Sequence, residues 1–143
     1  MLTPDSPRAF YLVNRLHQLV AERLEEALVP FEITASQYTV LSVLSRHAPL
    51  TSAELARRLR ISAQSTGESV KALEAKALLT RYSIEENRRV LVLKLTAQGQ
   101  RLLKRAHALV AEVEADFFGV LAAAERQQFE AAMIKLRNAV GVS

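Results

Sequence analysis

Residues 51–96 read TSAELARRLRISAQSTGESVKALEAKALLTRYSIEENRRVLVLKLT, and the fold follows from the change of period inside this stretch. Thr51 and Glu54 make a capping-box pattern ahead of a short helix over 51–59 that carries Leu55 and Leu59. Arg60-Ile61 is the turn. Ser62 caps a second helix over 62–76, with Val70, Leu73 and Ala77 on its buried side. The period then shortens. LLTRYSI (78–84) and RVLVLKL (89–95) are rich in Leu, Val, Ile and Tyr and flank the polar run Glu85-Glu86-Asn87-Arg88, which predicts a β-hairpin.

Working outward, Thr96 caps a long helix with Leu102, Ala106, Leu109, Val113 and Phe117 at helical spacing. Gly119 interrupts it, and a last helix carries Phe129, Ala132, Met133, Leu136 and Val140. On the amino-terminal side, Thr34 and Gln37 form another capping box before Val40, Leu41, Val43 and Leu44, and Pro49 marks the next break. Residues 8–28 make the first helix, with Val13, Leu16, Val20, Leu24 and Ala27 on one stripe, ended by Pro30. The order is ααααββαα, a mainly α fold with a small β-hairpin, in one domain over 1–143. The terminal stripes, over 10–28 and 100–140, can bury against one another or against a second copy. A two-fold dimer is the commonest closed assembly and is the reading preferred here.

Two short helices joined by a tight turn form a helix-turn-helix, in which the first helix braces the second for the major groove of DNA. The chain is +4 overall, and all of that excess lies in the middle third. Residues 51–94 hold nine basic and five acidic groups, leaving ten of each sign elsewhere. Clustered positive charge suits phosphate binding, because each neutralised phosphate releases counterions. Candidate DNA contacts are the cap Ser62 and the residues Gln64, Ser65, Thr66, Ser69 and Lys71 of the second helix. Gln64 is the best base reader, since its amide can pair bidentately with adenine. Arg88 and Arg89 at the hairpin tip suit a narrow minor groove, which makes the hairpin a wing and the core over 34–95 a winged helix-turn-helix. Gly67 reflects either close approach to DNA or the bracing helix, or a neutral surface position.

Three further stretches extend the pattern: LTSAELARRLRISAQSTGESVKALEAKALLTR, then ENRRVLVLKLT with AQG, and ITASQYTVLSVL. Together they resemble the MarR (multiple antibiotic resistance regulator) family over essentially the whole chain. The resemblance implies a winged helix-turn-helix transcriptional regulator, dimeric through its terminal helices over 8–28 and 96–143. It also implies an effector pocket between the dimer helices and the DNA-binding core, for which Tyr11, Arg15, Tyr38, Arg46 and His47 are candidates. An arginine beside tyrosines would suit a small aromatic anion; the alternative is that the tyrosines are packing residues and the charges face water. Three departures stand out: Ala77 where the family usually has glycine, Asn87-Arg88-Arg89 where Asp-Arg-Arg is common, and Ala72 where arginine is frequent.

Other chemistry is poorly supported. There is no cysteine, which removes disulfides, thiolate metal sites and thiol redox sensing. No glycine-rich phosphate loop, nucleophile elbow or paired metal-ligand motif occurs, and His17, His47 and His107 fall on three different helices. Neither an enzyme, a cofactor nor a resident metal is expected. No apolar run approaches the roughly 18–20 residues of a membrane span, and MLTPDSPRAF lacks the features of a secretory signal. A cytoplasmic regulator binding double-stranded DNA as a homodimer is therefore the leading expectation. A scaffold that keeps the fold without specific DNA binding is the competing one.

Overall fold

The structure, a computed structural model, describes residues 7–84 and 87–141; the side chains of Asn87 and Arg88 lie outside the described set. The elements are α1 (Arg8–Leu28), a 3-10 turn (Val29–Phe31), α2 (Ala35–His47), α3 (Ser52–Leu59) and α4 (Ala63–Ala75). Then come β1 (Leu79–Ile84), β2 (Asn87–Leu95), α5 (Ala97–Phe118) and α6 (Ala123–Ala139). This is the expected ααααββαα order. The chain divides into two compact units, Met1–Val110 and Ala111–Ser143.

Helix starts in the first unit follow short-range hydrogen bonding. Thr34 accepts from Gln37 N while the Gln37 side chain accepts from Thr34 N, both at 3.1 Å, a complete capping box. Glu25 of α1 reaches the same helix end and accepts from Ala35 N at 3.0 Å, so α1 helps to fix where α2 begins. Thr51 accepts from Glu54 N at 3.1 Å and Ser62 from Ser65 N at 3.0 Å. Each cap satisfies an amide that has no partner within its helix, an effect worth about 1 kcal/mol.

The turn between α3 and α4 has a defined geometry. Arg60 takes φ 55°. Ile61 N bonds Ala56 O and Arg60 N bonds Arg57 O, both at 3.2 Å, the paired bonds of a Schellman ending. The same device ends α4: Leu78 N bonds Leu73 O at 2.9 Å and Ala77 N bonds Glu74 O at 3.0 Å, with Ala77 at φ 59°. Ala77 is therefore exposed and left-handed, not the last residue of the buried stripe as the spacing suggested. The helix stops at Ala75, so the 3.6-residue period no longer governs where residue 77 points. A left-handed alanine costs about 1–2 kcal/mol, and glycine's greater freedom in the unfolded chain offsets roughly 0.4–1 of any gain. Ala77→Gly is thus expected to stabilise the protein by up to about 1 kcal/mol, read as a higher urea midpoint at unchanged slope. A lower midpoint would contradict the strain assigned to Ala77.

β1 and β2 are antiparallel with Leu79 opposite Leu95 and Tyr82 opposite Val92, and the register slips between Ser83 and Ile84. Leu50, between α2 and α3, adds a bridge to this hairpin, its carbonyl accepting from Leu93 N at 2.7 Å. The core joins Leu28 from α1, Val40, Leu41 and Leu44 from α2, Leu55 from α3, Val70 and Leu73 from α4, Leu93 from β2 and Leu103 from α5. Burying each such side chain contributes about 1.5–3 kcal/mol, so the α3–α4 pair is held as part of the unit's core.

One residue joins the end of α4 to the start of α5. Thr96 Oγ1 donates to Ala77 O at 2.6 Å and accepts from Gly99 N at 3.0 Å, while Thr96 N donates to Leu78 O at 3.1 Å. Lys76 Nζ donates to Glu32 O, tying the same end of α4 to the corner between α1 and α2.

In the second unit, Arg126 bonds Glu114 at 3.0 Å and Glu130 at 3.2 Å, and its guanidinium lies over the Phe118 ring. Ala122 stands at the cap position of α6, where Glu125 accepts from its amide at 2.9 Å. No residue of α6 is buried within the chain.

Candidate nucleic-acid interface

The face that α4 turns outward follows from which of its residues are buried. Thr66, Val70 and Leu73 form the inward stripe. At about 100° per residue, the direction opposite that stripe is occupied by Glu68, with Gln64 and Lys71 together on one side of it. All three side chains are exposed. Ser65 is exposed beside them, and Ser69 is half-buried at the margin. The outward face of α4 therefore presents Gln64, Ser65 and Lys71, with Ser69 on its edge.

Thr66 must be removed from it. The residue is fully buried, and its hydroxyl donates to Ser62 O at 3.0 Å. Its place two residues after Gln64 turns it about 200° away from that side chain, onto the braced side. Ser62 is exposed, but its hydroxyl already serves α4, accepting from Ser65 N and donating to Ser65 Oγ at 3.0 Å. A Cβ on Gly67 would meet nothing within 4 Å. Close packing on the bracing helix is thus not the reason for that glycine.

Glu68, absent from the expected contacts, accepts a long hydrogen bond from Gln64 Nε2 at 3.5 Å. The spacing of Gln64 and Glu68, one helical turn apart, was the available signal for the pair.

Exposed basic groups lie on the elements before and after α4. Arg57 and Arg58 are exposed in the last turn of α3, where cations favour the helix dipole, and Arg60 is exposed in the turn. On the hairpin, Arg89 is exposed. The side chain of Arg88 lies outside the described residues. Two other hairpin cations are structural. Arg81 pairs with Glu74 of α4 at 3.2 Å, and Lys94 lies 4.6 Å from the centre of the Tyr82 ring. The first contact ties the hairpin to α4 and the second joins its two strands.

The five candidate effector residues do not converge within one chain. Tyr11 and Arg15 are exposed one turn apart on α1, and Arg15 donates to Gln18 at 3.3 Å. Tyr11 lies about 21 Å along the helix axis from Glu25, the residue that meets α2. Arg46 and His47 are exposed in the last turn of α2, about 12 Å or more along that helix from Tyr38. Tyr38 is half-buried, and its partner is one the sequence did not reveal. Its hydroxyl lies 2.5 Å from His107 Nδ1 of α5, with the two rings edge-on at 5.3 Å between centres. No short-range pattern links residues 38 and 107.

Among the described residues no helix is long and apolar enough to cross a membrane by itself, and no group of three or more His, Asp or Glu could hold a metal ion.

Comparison with known proteins agrees with this geometry. A family model described as the MarR family matches residues 31–90. The HTH-type transcriptional repressor Rv2887 of Mycobacterium tuberculosis is 31% identical over 135 residues, covering 94% of this chain and 96% of that protein. Wild-type MarR from E. coli, in its apo form, superposes with a TM-score of 0.80 at 25% identity, over 95% of this chain and 98% of that one. A mutant E. coli MarR complexed with operator DNA gives a TM-score of 0.81 at 25% identity, over 91% and 94% of the two chains.

Proposed function

The chain belongs to the MarR family and is a transcriptional regulator of that family, not an enzyme; from that premise we propose that it represses transcription by binding a pseudo-palindromic operator as a cytoplasmic homodimer. The observation that carries this reading is the outward face of α4. Gln64, Glu68 and Lys71 lie on the side away from the buried stripe of a helix braced by α3, within the most basic part of the chain. Two such helices, one from each copy, would enter successive major grooves about one helical turn apart. The hairpins would flank them, with Arg89 directed at the minor groove or its phosphates.

The homodimer is supported by exposed apolar residues on both terminal helices, among them Val13 and Leu16 on α1 and Met133 and Leu136 on α6. Residues 8–28 and 96–143 then serve association, and 34–95 serve DNA. Release by a small aromatic or anionic effector completes the reading. The scattered positions of Tyr11, Arg15, Tyr38, Arg46 and His47 favour an effector site between copies over one built from a single chain.

The test is a fluorescence-polarisation titration against the DNA upstream of the protein's own gene, repeated at several salt concentrations beside a random duplex. Tighter binding to the upstream DNA is expected. Equal binding to both at every salt would remove that DNA as an operator. In the same assay Arg89→Ala is expected to weaken binding and lower the salt slope by about one unit, as loss of one phosphate contact does. An unchanged slope and affinity would take Arg89 off the interface.

A further inference from the structure

We propose that Glu68 is a specificity-determining residue, its carboxylate accepting a hydrogen bond from the exocyclic amino group of a cytosine in each half-site. The inference rests on the operator-binding reading above. It starts from position: Glu68 stands at the centre of the exposed face of α4, opposite Thr66, Val70 and Leu73. Anything that docks on this face meets Glu68, and a helix seated in the major groove carries that carboxylate towards the base edges.

A carboxylate in that place is a burden unless it finds a donor. DNA phosphates repel it, and its water must be displaced as the helix seats. Lys71 on the same face offsets part of the repulsion but supplies no base contact for the carboxylate. The major-groove edge of DNA offers two kinds of donor, the amino groups of cytosine and adenine. Adenine carries an N7 acceptor beside its amino group, and that lone pair faces a carboxylate unfavourably. Cytosine presents its N4 amino group without an acceptor on the same base edge. The acceptor-only chemistry of Glu68 therefore selects cytosine.

Gln64 strengthens the assignment. Its amide donates to Glu68 from one turn back, which leaves its carbonyl and second N–H for a neighbouring base. The two positions are about 6 Å apart along the helix axis, a little under two base-pair steps of roughly 3.4 Å each. Gln64 and Glu68 thus act as a coupled pair, the first suited to adenine and the second to cytosine.

The experiment is selection from a random duplex library with the full chain, in wild-type form and as Glu68→Ala and Glu68→Gln. Wild type is expected to enrich cytosine at one position of each half-site. Glu68→Ala should lose the preference at that position alone, and Glu68→Gln should move it towards adenine. In direct titration, replacing that C·G pair by T·A should weaken wild type about tenfold or more and change Glu68→Ala less than about threefold. Both variants should also bind random duplex more tightly, since each removes one negative charge from the interface. Sequence profiles that are the same for wild type and both variants would overturn the inference while leaving operator binding intact. A wild-type protein that enriches no sequence would overturn both.

Discussion

Gly99→Ala is expected to destabilise the protein by about 3 kcal/mol or more, the upper end of what overpacking a close contact costs. A Cβ built at Gly99 would stand 1.9 Å from Leu78 O and 2.9 Å from the carbonyl carbon, so the clash is with backbone. Neither side can withdraw easily. Leu78 O accepts from Thr96 N, Leu78 N donates to Leu73 O to end α4, and the Leu78 side chain is buried in the core. Gly99 is held in turn by its own amide, which donates to Thr96 Oγ1. Moving α5 outward would break the bonds that join it to the end of the recognition helix. Gly67→Ala is the control, because nothing lies within 4 Å of its Cβ and alanine is favoured inside a helix by about 1 kcal/mol. Urea unfolding of the two variants should therefore move in opposite directions from wild type. If Gly99→Ala unfolds at the wild-type midpoint, the contact at Leu78 is not the constraint described here.

The contrast between these glycines shows which features the sequence carried. Thr34, Thr51, Ser62 and Thr96 all cap helices as their spacing indicated, because a cap bond spans only three residues and needs no distant partner. Thr66 was legible too, but only through its period. It lies four and seven residues before Val70 and Leu73, on the same stripe, and its hydroxyl disguised a position satisfied locally by Ser62 O. Ala77 was misplaced because a helical period was extended past the helix end. Contacts between distant residues were not available at all. Tyr38 with His107, Lys76 with Glu32 and Leu50 with Leu93 each join segments whose approach depends on the packed core. The candidate effector residues were drawn by chemistry from two helices, whose approach to one another likewise depends on the packed core.

Leu16→Glu is expected to abolish the homodimer at micromolar concentration and to weaken operator binding by about 10²–10⁴-fold. On α1, Phe10, Val13, Leu16 and Val20 are exposed at three- and four-residue spacing. A contiguous apolar stripe of this kind marks an interaction surface. Because each chain carries the same stripe, a two-fold contact places residue 16 of both copies in the interface, so one substitution introduces two charges. Burying them without partners would cost more than the lost leucine contacts. The effect on DNA is larger still. In the dimer, the second half-site is bound by a recognition helix already held nearby, at an effective concentration in the millimolar range, and a monomer loses that gain entirely. Within its own chain Leu16 is already exposed, so the variant should keep its helical circular dichroism and its urea midpoint measured at low concentration. Sedimentation velocity and the operator titration then read association and binding separately. A wild-type monomer at micromolar concentration would remove the premise. A Leu16→Glu protein that stays dimeric with undiminished affinity would move the interface off this face of α1, leaving the exposed Met133, Ile134 and Leu136 of α6 as the surface to be charged next.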